Sequence, residues 1–184
     1  MRKGLFTTVL AVLAITSGAQ AEPYISGFVE GTQVFRVESN DALDSGAVFG
    51  ERAYPRSEVR AQLRLSGGGE RDEYFLRTDF VSDRLTGESY VNVREAYAKL
   101  YVSERLDIKV GRQVATWGTG DLLFANDLFA RDWVAFFTGM DLAYLKEPQD
   151  LLRIGIYTNG PTLELALSPY HTADNIPNGQ RLSV

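Results

Sequence analysis

Along most of this chain apolar and polar residues alternate one by one, the period of two that a pleated strand imposes on its side chains. The clearest case is residues 57–66, where Val59, Ala61, Leu63 and Leu65 share one face and Glu58, Arg60, Gln62 and Arg64 the other. Residues 90–117 repeat the pattern twice. Glu95, Tyr97, Lys99 and Tyr101 oppose Ala96, Ala98, Leu100 and Val102; then Leu106, Ile108 and Val110 oppose Asp107 and Lys109. Ser103, Glu104 and Arg105 leave room only for a tight turn between the two, which makes them an antiparallel hairpin.

Four more segments read as strands. Residues 24–37 are aromatic, β-branched and glycine-containing, and Tyr74, Leu76, Thr78 and Phe80 form an apolar row with Arg77 and Asp79 opposite. Leu152, Ile154 and Ile156 alternate with Arg153, and Leu163, Leu165 and Leu167 with Glu164 and Ala166. A further short strand is expected over 140–146, followed by a turn at 146–150. The expectation is therefore an all-β fold of seven or eight antiparallel strands. After Trp117 the period changes: Leu122, Ala125, Phe129, Trp133 and Phe136 are spaced by three and four, which predicts one short helix inside a long loop.

The N-terminus narrows the setting. Arg2 and Lys3, an apolar run at 5–15, and Ala19-Gln20-Ala21 follow the charged, greasy, small-residue order of a secretory signal peptide cleaved after Ala21, which leaves 22–184 as one barrel domain. The run is about 11 residues, short of the roughly 20 a membrane-spanning helix needs. Removing Arg2 and Lys3 takes the net charge from −5 to −7, too acidic for a nucleic-acid partner. The chain has no cysteine, so neither disulfides nor thiolate chemistry enter.

Two architectures give this alternation: a soluble sheet with one wet face, and an outer-membrane barrel whose apolar faces meet lipid while charged faces line a lumen. The export signal, the tyrosines and tryptophans near strand ends (Tyr24, Tyr74, Tyr90, Tyr101, Trp117, Tyr157, Tyr170) and the alternation of long and short connections favour the barrel. Long connections at 38–55, 83–89 and 118–139 would face outward, and short ones at 67–72, 103–105 and 146–150 inward. The short 159–161 turn, on the outer side, departs from that habit. The inward, pore-lining set is then Glu58, Arg60, Arg64, Arg77, Asp79, Glu95, Lys99, Asp107, Lys109, Arg153 and Glu164. For each charge taken alone a paired structural role is the simpler reading. The row Arg60, Arg64, Arg77 and Arg153 carries a narrower expectation, an anion preference.

Phe129, Trp133 and Phe136 are expected to pack the long loop onto the barrel, to narrow a pore if the loop folds inward, or to contact a partner. Asp121, Asn126, Asp127 and Asp132 lack the spacing and glycine turn of a calcium loop, so no metal is expected. His171 is the only histidine and is expected on the surface. No G-x-S-x-G elbow or zinc-spaced histidine pair occurs, and neither catalysis nor a cofactor is expected.

The segments REAYAKLYV (94–102), GRQVATWGTGDLLFANDLFARDW (111–133) and YLKEPQDLLRIGIYTN (144–159) carry a resemblance. With their R-E-A-Y strand, G-R-Q strand ending in W-G, and N-D loop, the chain resembles a porin-like, mostly uncharacterised family of Gram-negative outer-membrane β-barrel proteins. The resemblance covers residues 91–168 and implies an integral outer-membrane barrel with no catalytic residues to carry over. Family members are longer, and such barrels finish in a strand with a terminal aromatic residue, so it also implies an incomplete, N-terminal portion. A self-closed eight-stranded barrel, packed inside and non-conducting, is the alternative. The function expected is passive passage of small polar solutes, with outer-membrane lipid as the surrounding partner and a homo-oligomer compatible with the class. The competing readings are a non-conducting structural or adhesive barrel that binds a partner through its outer loops, and a soluble periplasmic barrel carrying an apolar ligand.

Overall fold

The computed structural model describes residues 22–34, 56–116 and 129–177. Seven strands form one sheet in sequence order, each antiparallel to its neighbours: β1 (Tyr24–Val34), β2 (Arg56–Gly68), β3 (Asp72–Asp83), β4 (Glu88–Ser103), β5 (Leu106–Gln113), β6 (Gln149–Tyr157) and β7 (Thr162–Leu167). Among the described residues between β5 and β6 lie one helix, α1 (Trp133–Phe137), and a single 3-10 turn (Leu142–Tyr144). The sheet is not closed. With seven strands alternating in direction, β1 and β7 run the same way, so antiparallel closure needs an odd number of further strands.

Register explains which side chains share a face. Gln62 lies opposite Asp79, Arg77 opposite Glu95, and Lys109 opposite both Lys99 and Arg153, so the charged rows of successive strands stack on one side of the sheet. That side is the buried one. Arg60 is 3% exposed and Asp79 0%, whereas Val59, Phe80, Val91 and Val102, on the other face of central strands, are 47–55% exposed. The largest fully buried side chains among the described residues include Arg94, Gln113, Asp79 and Asp83, while the buried hydrophobics are mostly alanines. Ala96 and Ala98 are buried on the apolar face because they are small: each sits between larger cross-strand neighbours, Leu76 and Arg112 for the first, Tyr74 and Val110 for the second.

A β-bulge interrupts β4. Arg77 pairs with Glu95 and Thr78 with Val93, so Arg94 has no partner across the ladder. The extra residue shifts the alternation by one, which turns Arg94 and Glu95 toward the same, polar side. In β5, Gly111 is required. Its φ is +126°, and a Cβ there would lie 2.3 Å from the Ala96 carbonyl oxygen.

Three expectations change. The short strand at 140–146 is not formed, and Gln149 and Asp150, expected in a turn, open β6. Local chemistry explains it: Asp141 accepts a bond from the Ala143 amide at 2.8 Å and starts the 3-10 turn, and Arg94 occupies the Ala143 and Lys146 carbonyls that a ladder would need. With one strand fewer, the 158–161 turn falls at the same end as 69–71 and 104–105, and the short connection at the opposite end is the one between β3 and β4. The third change is at 83–89, expected as a long loop. It is a tight turn over 84–87, where Asp83 accepts from the Leu85 amide at 2.8 Å and Gly87 takes a φ of +73°.

The helix is shorter than its stripe. Asp132 caps α1 by accepting from the Ala135 amide at 2.7 Å, and the Thr138 hydroxyl closes it on the Val134 carbonyl at 2.7 Å. Phe129 precedes it, and Leu122 and Ala125 lie outside the described residues, as do the signal segment 1–21 and the loop 38–55.

The Gly111 geometry sets a test. Gly111→Ala should lower stability by about 1–3 kcal/mol, since both its φ and its contact with Ala96 must be relieved. Gly31→Ala, where a Cβ meets nothing within 4 Å, should change it by under about 0.5 kcal/mol. The urea midpoint of the two variants measures the difference.

Candidate functional site

The polar face is organised around β2. Its side chains Arg56, Glu58, Arg60 and Gln62 recur every second residue and are all buried. Burying an ion costs several kcal/mol unless partners replace its water. Here the partners come from the same strand and the next one. Glu58 accepts from Arg56 at 2.8 Å and Arg60 at 2.7 Å; Arg60 also reaches Asp79 at 3.0 Å; and Asp79 accepts from Gln62 at 2.8 Å.

The connection between β5 and β6 folds onto this ladder. Gln62 donates to the Tyr144 hydroxyl at 3.0 Å, and the Tyr144 ring lies 4.1 Å from the Arg60 guanidinium and 4.9 Å from that of Arg94. Arg94 also donates to the carbonyls of Ala143 (3.1 Å) and Lys146 (2.7 Å), and Arg56 to that of Gly139 (3.5 Å). Tyr144 is thus held between two cations, each worth about 0.5–2 kcal/mol as a cation–π contact. Burial raises its hydroxyl above the ordinary 10.0, although the neighbouring Arg60 pulls the other way.

The base of this loop is a short antiparallel ribbon. Asp132 donates its amide to the Leu145 carbonyl and Glu147 donates to that of Ala130. Residues 174 and 175 brace it: Trp133 donates its indole N–H to Asp174 at 2.9 Å and Asn175 its amide to Asp132 at 2.9 Å. Glu147 is half-buried beside Asp132, and burial first, then that second carboxylate, raises its pKa above the ordinary 4.5.

The sequence-derived lining residues fall on this one face: Arg60, Arg64, Arg77, Asp79, Glu95, Lys99, Lys109, Arg153 and Glu164, with Glu58 and Asp107. Pairing rather than charge alone sets what they offer. Arg77 meets Glu95 at 3.1 Å, Lys99 meets Asp107 at 3.3 Å, and Arg153 meets Glu164. Of the four arginines expected to bias ion passage, three are therefore in ion pairs, and the exposed Arg64 donates to Gln62. Trp133, Phe136 and Phe137 pack on one another at 5.3–6.4 Å, and Phe136 is 39% exposed. Tyr144 contacts the ladder directly, through Gln62 and Arg60.

Sequence reasoning missed Tyr144 and Arg94. Nothing local marks Tyr144. Arg94 had a signal: Val91 and Val93 are apolar at odd positions, Ala96, Ala98 and Leu100 at even ones, and that reversal of phase marks the bulge. Asp121, Asn126 and Asp127 lie outside the described residues, Asp132 serves as the helix cap, and His171 is exposed. No group of three or more metal-ligating side chains occurs among the described residues. No protein-family model matches the chain, and no curated protein sequence matches it.

Two outcomes follow. Arg94→Met removes two charge-assisted bonds, each worth about 1.5–3 kcal/mol, and should speed protease cleavage within 129–148 while leaving the strands intact. For Glu147 the folded protein holds the proton more tightly than an unfolded chain does. Its effect on stability is therefore most favourable below 4.5 and is lost as pH rises through the raised value. Between about pH 4 and about pH 7 the thermal midpoint of the native protein should fall further than that of Glu147→Gln.

Proposed function

We propose that this chain is part of the wall of a porin-like outer-membrane β-barrel, exported by its N-terminal signal, through which small polar solutes pass passively. The observation that carries this reading is the inverted sheet: aliphatic rows on the outside, ion-paired charges on the sheltered side. In water, leaving about a dozen Val, Leu, Ile and Phe side chains roughly half exposed would forfeit on the order of 10 kcal/mol, as much as a whole domain is stable by. Against acyl chains the same rows cost nothing. The charged rows would be expensive in lipid and suit an aqueous interior. The strands also fit: most have 8–16 residues, and about 9–11 cross the hydrocarbon layer when tilted.

An open edge cannot face lipid, because each unpaired backbone group there would cost several kcal/mol. The proposal therefore includes an odd number of further strands between β7 and β1. A second reading, a non-conducting barrel with a structural or adhesive role, draws support from the loop latched by Tyr144 and Arg94, which occupies the polar face over β2–β4. A carrier of apolar ligands fits poorly, since the sheltered side presents ions rather than apolar surface.

The membrane reading is tested by placing a charge on the apolar face at mid-strand. Leu63→Arg should cost about 2–4 kcal/mol in folding into lipid vesicles, as at a bilayer midplane. A cost under about 0.5 kcal/mol would mean that this face meets water, and the proposal would fall. Planar-bilayer recording separates the two membrane readings: discrete steps, larger in Tyr144→Ala than in the native protein, are expected of the channel, and their absence in both favours the filled barrel.

A further inference from the structure

At the end of the sheet carrying the 69–71, 104–105 and 158–161 turns, five strands, β3 to β7, line a cavity of about 220 Å³ on the polar face. A larger cavity of about 800 Å³ at the rim shares Lys99, Asp107 and Tyr157 with it. Register places three cations in one row of the smaller cavity, Lys99, Lys109 and Arg153 lying directly opposite one another on β4, β5 and β6. Like charges in that position destabilise a sheet. The adjacent row relieves two of them, through the Lys99–Asp107 and Arg153–Glu164 pairs.

Lys109 is left over. Among the described residues no carboxylate lies within 4 Å of its ammonium, which rests 3.6 Å from the Tyr97 ring centroid. A ring face meets part of the charge but satisfies none of three strong N–H donors in the way an oxygen does. Glu73, in the same cavity, is the opposite remainder. It accepts from the Tyr101 hydroxyl at 3.1 Å; Lys99 stands directly opposite it on β4 but turns its ammonium to Asp107, which leaves Glu73 with no cation within 4 Å among the described residues. Glu73 stands on β3 and Lys109 on β5, about 10 Å apart at the backbone across the intervening strand.

The cavity thus holds one carboxylate and one ammonium that lack a close ion pair among the described residues, on strands either side of β4 and attracting one another only at longer range. A simple anion drawn to Lys109 would also meet Glu73, Asp107 and Glu164; a simple cation drawn to Glu73 would meet the basic row. A molecule carrying both charges neutralises both remainders. About 220 Å³ is the volume of roughly seven waters, which suits a small amino acid or the smallest dipeptides. We infer that this cavity is a binding station for zwitterionic solutes of amino-acid to dipeptide size, the solute carboxylate on Lys109 and its ammonium on Glu73. The inference rests on the channel reading and names the class of solute that the channel takes. Station affinity is weak by design, since a solute must leave as readily as it enters.

The test uses the full chain folded in lipid nanodiscs and titrated calorimetrically with glycylglycine, N-acetylglycylglycine and glycylglycinamide. Glycylglycine should bind saturably, and each blocked analogue, lacking one charge, about tenfold or more weaker. Lys109→Gln and Glu73→Gln should each weaken glycylglycine about tenfold, and Lys109→Arg should restore it. N-acetylglycylglycine binding as tightly as glycylglycine would reduce the site to an anion site, and an absence of saturation would remove it; either result overturns the inference. Bilayer conductance is read separately. A chain that conducts without binding the dipeptide loses the station and keeps the channel, and one that binds it without conducting keeps the station and loses the channel.

Discussion

A charge withdrawn from water must be met by an opposite charge or by hydrogen-bond partners, and the sheltered side of this sheet is laid out around that requirement. Glu58 stands between Arg56 and Arg60, Arg60 passes on to Asp79, and Asp79 takes Gln62, so charge and donor alternate across β2 and β3. Antiparallel register makes this possible. It sets Gln62 beside Asp79 and Arg77 beside Glu95, and the diagonals bring Lys99 to Asp107 and Arg153 to Glu164. Without those pairings, several buried ions would each cost more than any one strand contact returns.

The long connection back from β5 depends on the same face. A loop can lie over a charged surface only if it brings acceptors, and this one offers the carbonyls of Gly139, Ala143 and Lys146 together with the ring and hydroxyl of Tyr144. Arg94 reaches two of those carbonyls because the bulge in β4 turns it inward beside Glu95. One extra residue in a strand therefore both anchors the loop and prevents a strand at 140–146. The aromatic cluster of α1 stabilises the loop from within; the ladder below holds it in place.

Much of the architecture was legible from residue order. The strands at 57–66 and 95–110, the hairpin turn at 103–105 and the shared face of the eleven lining residues follow from alternation, because a strand permits only two side-chain directions. Residues 140–146 are apolar enough for an eighth strand, and the Asp141 cap and the distant Arg94 divert them. The phase reversal between Val93 and Ala96 was present in the sequence and announced the bulge. At 83–89 polarity does not mark a long loop, because Asp83, Glu88 and Ser89 belong to the strand ends that flank a tight turn.

Residue order by itself determined that this chain makes antiparallel strands with one aliphatic and one ionic side, since periodicity is a local property. It could not say which side is sheltered, for a sandwich and a barrel wall share one alternation. Tertiary structure decided that, because curvature and the docking of the 129–148 loop depend on contacts between residues far apart in the chain. It also decided which charges cancel. Among the described residues Arg60, Arg77 and Arg153 find carboxylates within ion-pair distance while Lys109 finds none and Glu73 finds no cation, and that distinction rests on distances across strands, which no one-dimensional pattern records.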